Sequence, residues 1–135
     1  MSKKITEIEG IGPAYQEKLA AAGVKTVEGL LELGAFKSVR MKIAEDSGLD
    51  ESQILVWVNM ADLFRIKGVA SQFAELLKAA GVDTVKELRT RNAENLHAKL
   101  VEVQEEKKIT RTVPALSQVT DFVEQAKKLE PMVTY

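Results

Sequence analysis

The chain has 135 residues, of which 45% are hydrophobic and 29% charged, with a formal net charge of −1 and no cysteine. That length suits one domain or two very small ones, and the composition is that of an ordinary soluble globular protein. The lack of cysteine excludes disulfides and thiolate metal sites, and no overall basic surplus marks a dedicated nucleic-acid binder.

Lys3 and Lys4 near the start are not followed by an apolar run, so no secretory signal is read there. The longest apolar segment, residues 54–58, is far too short to span a bilayer. A cytoplasmic chain without membrane association is therefore expected.

The first element is announced by Ile8-Glu9-Gly10-Ile11-Gly12-Pro13. Two glycines and a proline predict a tight turn and then a helix over 13–22, because proline's missing N–H suits the first helical position. Tyr15, Leu19 and Ala22 recur at i, i+4 and i+7 and are expected to form its buried face, with Gly23 as its stop. Thr26 is placed to cap a second helix to about residue 33, with Val27, Leu30 and Leu31 inward. A third helix is expected over about 37–46, then a turn at Ser47-Gly48-Leu49-Asp50. Asp50 with Gln53 is expected to cap a fourth helix to about residue 64. This helix is apolar on most sides, which predicts a position between the two halves, joining their cores.

The pattern then restarts at Ile66-Lys67-Gly68-Val69-Ala70. Thr84 and Glu87 have the spacing of a capping box. Asn92 is placed to cap a helix over 93–107, and Pro114 breaks the helical pattern after it. Ser117 is expected to cap a last helix to about residue 129. Residues 131–135 are an apolar tail that either docks or frays. No strand pattern is present, and no Pro/Ser/Gly-rich linker separates the halves.

The halves overlay when the sequence is shifted by 58 residues. Ile8, Gly10 and Ile11 fall on Ile66, Gly68 and Val69. Tyr15, Leu19, Gly23, Thr26 and Leu30 fall on Phe73, Leu77, Gly81, Thr84 and Leu88. With about seven residues inserted in the later copy, Trp57 matches Phe122 and Ala61 matches Ala126. The expectation is an all-α protein of two tandem repeats, 1–64 and 65–135. Each repeat has about four short helices, and the two share one core.

The apolar-Gly-apolar-Gly turn resembles the helix-hairpin-helix family, and residues 8–34 are similar to the tandem helix-hairpin-helix domain at the N-terminus of archaeal and eukaryotic recombinases. The whole chain is similar to an uncharacterised prokaryotic family known only as a domain of unknown function. In the helix-hairpin-helix family, hairpin amides contact DNA phosphates without reading bases. The resemblance implies such contacts at Gly10, Ile11, Gly12 and Ala14. In the second hairpin it implies them at Gly68 and Val69, with Arg65 and Lys67 supplying charge.

The physical argument agrees. A glycine-rich turn that opens a helix aims backbone N–H groups outward, toward the helix end that favours an anion. Contacts of this kind position a duplex and carry no sequence information. Glu9 and Glu17 flank the first turn, and Pro13, Ala14, Tyr15 and Gln16 stand where family members often have Lys or Arg. In the second turn Ala70 replaces the later glycine.

Residues 1–64 carry 7 Lys+Arg against 10 Asp+Glu, a balance of −3, and residues 65–135 carry 12 against 10, a balance of +2. Lys107, Lys108 and Arg111 form the densest basic cluster, alongside Arg89, Arg91 and Lys99 in the same half. His97 is the only histidine, so no ordinary transition-metal site is expected. No nucleophile–base pair, P-loop or paired carboxylate is visible, and neither catalysis nor a cofactor is expected. Two functional readings follow. One is weak binding of DNA without sequence specificity. The other is a protein-interaction adaptor that kept the scaffold and lost the charge.

Overall fold

The computed structural model describes residues 3–135. Among these there are eight α-helices, one 3-10 turn and no strand. A lone antiparallel bridge joins Lys4 and Thr26. The chain packs as two compact units, Met1–Asp62 with Met132–Tyr135, and Leu63–Pro131. The division falls two residues before the repeat boundary drawn from the sequence, and the tail belongs to the first unit.

In the first unit the 3-10 turn Ile5–Glu7 leads to α1, Pro13–Ala21, then α2, Val27–Gly34, and α3, Lys37–Ser47. The unit also holds α4, Glu51–Leu63, up to Asp62. Helices α1 and α2 pack on α3 and on the 3-10 turn. Their inward residues, Leu19, Val27, Leu30 and Ile43, are buried together with Ile5, Ile8 and Trp57. Each such aliphatic side chain removed from water stabilises the unit by about 1.5–3 kcal/mol. Thr26 caps α2 as expected, its Oγ1 accepting the Gly29 amide at 2.9 Å.

Three local expectations are corrected. Tyr15 is not on a buried face of α1: it is 41% exposed. Its ring lies 5.2 Å from Trp57 at 57°, so one side is covered and the other faces outward. The expected Gln53 side-chain cap of α4 is absent from the described hydrogen bonds. Asp50 itself does cap the helix, its Oδ1 accepting from the Ser52 amide and hydroxyl at 3.1 and 3.0 Å. Ser117 does not cap the last helix, which starts one residue earlier.

In the second unit α5 is Ser71–Ala79, α6 Val85–Leu88, α7 Ala93–Lys107 and α8 Leu116–Lys128. Helix α7 packs on α5 and α8, and α6 packs on α8. Thr84 caps α6 by accepting the Glu87 amide at 3.2 Å. The reciprocal half of that capping box is replaced: the Glu87 carboxylate pairs with Arg91 one turn later, at 2.8 Å. Asn92 caps α7 as expected, accepting the Asn95 amide at 3.1 Å.

The stretch after α7 is organised by one glutamine. Lys108 ends the helix in the left-handed conformation, at φ 49°. The Gln104 amide group then bonds both the N–H and the carbonyl of Thr110. Thr110 is buried and donates its hydroxyl to the Thr112 carbonyl at 2.6 Å. The backbone groups of Thr110 and the Thr112 carbonyl, which lie in the loop outside any helix, are thereby satisfied by side chains. The Ala115 amide donates to Gln118 at 2.8 Å and starts α8.

The tail docks. Thr134 donates its amide and hydroxyl to the Ala35 carbonyl at 2.8 and 3.0 Å. Its own carbonyl accepts from Arg40 at 2.5 Å. Arg40 is fully buried, and it also donates to the Gly34 and Ala35 carbonyls and pairs with Glu51. Beside it, Gly34 is so close to Val58 that a Cβ would overlap the valine side chain.

Candidate nucleic-acid interface

The two turns have the same backbone. Gly10 is at φ +94° and Gly68 at φ +97°, a region that side chains make costly and glycine enters freely. The residue after each is buried, and its amide donates back across the turn: Ile11 to the Ile8 carbonyl, and Val69 to the Ile66 carbonyl, both at 3.1 Å. The next residue is the helix N-cap, Gly12 at φ −94° or Ala70 at φ −116°. The helix then closes on it, Gln16 to Gly12 and Ala74 to Ala70, both at 2.9 Å.

This geometry redistributes the site residues. Gly10, Gly12 and Ala14 are exposed at the head of α1, as are Gly68 and Ala70 at the head of α5. Helix heads present amides that no turn of the helix satisfies. Ile11 and Val69 contribute differently: their amides are engaged within the turn and their side chains anchor it in the core. Ala70 is also not a deficiency of the second turn. An extended N-cap is open to any residue, and no heavy atom stands within 4 Å of a Cβ built on Gly12.

The side chain under each turn is aromatic. Trp57 Nε1 lies 3.6 Å from where a Gly10 Cβ would stand, and Phe122 Cε1 lies 3.0 Å from that of Gly68. Tyr15 covers Trp57, and Phe73 lies 6.3 Å from Phe122 at 56°. The same pair of ring positions thus recurs at the offsets seen in the sequence. Trp57 and Phe122 are both 2% exposed, which makes them supports of the turns and removes them from any base-stacking role.

The charges differ between the turns. Glu9 and Glu17 are exposed beside the first. At the second, Lys67 is exposed, while Arg65 is half-buried and donates to the Glu130 carbonyl at 2.7 Å. Sequence reasoning missed Gln125. Its side chain accepts the Lys67 amide at 2.9 Å and donates to the Lys67 carbonyl at 3.1 Å, clamping the second turn from α8. The matching position in the first half is Met60, which has no donor and is at most a weak acceptor, so it cannot form this clamp. Gly68, Ala70, Ser71, Gln72 and Phe73 line a cavity of about 410 Å³ beside this turn.

The class these features define is an all-helical protein built around glycine turns that each open a helix. The chain belongs to the family described as Domain of unknown function (DUF4332), whose model matches residues 9–129. No curated protein and no solved structure matches it. No helix among the described residues is long and apolar enough to cross a membrane.

Proposed function

We propose that this is a non-enzymatic protein of two tandem helix-hairpin-helix repeats that binds DNA weakly and without sequence specificity. The contacts come from the backbones of Gly10, Gly12, Gly68 and Ala70, the Ala14 amide, and the basic side chains Arg65 and Lys67, with Ile11 and Val69 anchoring the turns. The observation that carries the reading is the shared backbone of the two turns, with a left-handed glycine, an anchored apolar residue and an extended N-cap before an exposed helix head. Phosphate is the anion that such a head accepts most readily. With Glu9 and Glu17 beside the first turn, the second turn is the stronger half, since it has Lys67 and the two-bond clamp from Gln125.

The test is a titration of the full chain with duplex and single-stranded DNA at two salt concentrations. Affinity that falls steeply with salt, and equally for unrelated sequences, is the expected result. Absence of binding at low salt overturns it. A second reading, an adaptor for a protein partner, is favoured by the exposed Phe36, Met41 and Tyr135 of the first unit. It gains if DNA binding is absent.

A further inference from the structure

A second cavity in the second unit, about 320 Å³, lies away from the glycine turn and has a different chemistry. Its polar lining is Thr90, Arg91, Asn92, Asn95 and Lys99, over an apolar floor of Ala80 and Leu96. Asn92, Asn95 and Lys99 are spaced i, i+3 and i+7, so they share one face of α7. No carboxylate is among these lining residues, while two full positive charges are.

Several donors of these lining residues are not used by the fold. Asn92 Oδ1 is engaged as the α7 cap, which leaves its NH₂ group as the open end of that amide. Arg91 uses Nη2 for the Gly81 carbonyl, at 3.2 Å, and for Glu87. Its Nη1 makes no hydrogen bond among the described residues, and its Nε is buried without a partner. Lys99 pairs with Glu102 at 3.8 Å, on an exposed surface where such a pair is weak. The head of α7 adds its favourable dipole to these side chains.

We propose that this cavity binds a phosphate group, with Arg91, Lys99 and the Asn92 and Asn95 amide groups as its donors. Its volume is at the small end of ligand pockets, enough for a phosphate and part of its ester. The guanidinium gives planar recognition of the oxygens, and the ammonium gives a mobile point charge. Glu87 competes for the same guanidinium, so it limits the affinity. The site is independent of the glycine turns and stands if their DNA binding fails.

The test is a titration of the isotope-labelled full chain with inorganic phosphate at constant ionic strength, followed by amide chemical shifts. Saturable shifts at residues 90–95 and 99 are expected. R91M and K99M should each weaken binding about tenfold, the loss of one charge-assisted hydrogen bond. E87Q should tighten it, an outcome that a misfolded variant does not produce. Lys99 is largely exposed, so K99M tests the site without disturbing the core. A short duplex added afterwards distinguishes the source of the phosphate. Displacement of the ion from these residues assigns the site to a nucleic-acid backbone, and retention assigns it to a small phosphorylated molecule. Shifts that never saturate, or that saturate only at residues 65–73, overturn the proposal. So does R91M or K99M binding as tightly as the parent.

Discussion

Arg40 is the residue on which the first unit depends most visibly. Its charge is out of water and its partners are two carbonyls at the end of α2, the Glu51 carboxylate and the tail carbonyl of Thr134. Removing one partner of such a buried set leaves the others unpaired, so R40M should destabilise the protein by about 3–5 kcal/mol in urea unfolding. The turn glycines divide by conformation. Gly10→Ala should cost about 1 kcal/mol or more, because φ +94° is strained for alanine. Gly12→Ala should stay within about 0.5 kcal/mol, since its backbone is ordinary and the space is open. The same two unfolding curves check both, and equal losses at the two positions would refute the division.

At the scale of elements, short helices are set by their ends. Helix α6 has only four residues, and the Thr84 side chain caps it. A helix this short cannot stand on its own propensity. Thr84→Ala should therefore cost about 1 kcal/mol and raise amide exchange through residues 85–88. The caps were legible because Thr26, Thr84 and Asn92 act on amides three residues away. Ser117 was misread because Gln118, the next residue, reaches back to the Ala115 amide and starts α8 earlier. The Gln125 clamp was invisible for a related reason. A half-exposed glutamine within a helix carries no signal until another element is placed beside it.

At the scale of the molecule, Lys3 and the tail 132–135 lie in the same unit. The Lys3 carbonyl accepts the Val27 amide at 3.0 Å, and Thr134 is tied to Ala35 and Arg40. Deleting residues 132–135 should expose the Arg40 side chain and lower the stability of the first unit, read as faster hydrogen exchange in α2 and α3. Exchange in α7 and α8 should be unchanged, because their bonds lie within the second unit. A uniform acceleration across both units would show that this assignment of the tail is wrong.

The helical class, the eight helices and the two glycine turns were determined by the sequence alone. Helix periodicity, N-caps and left-handed glycines act over three to seven residues, so local spacing is enough to reveal them. Only the tertiary structure decided which amides of the turns remain open, that Arg40 is a buried tie and that the tail docks. It also decided that Arg91, Asn92, Asn95 and Lys99 line one cavity. An arginine in a basic helix reads as surface charge until residues 94 positions away close over it. Burial and hydrogen-bond partnership are properties of the packed chain, and no pattern along the sequence carries them.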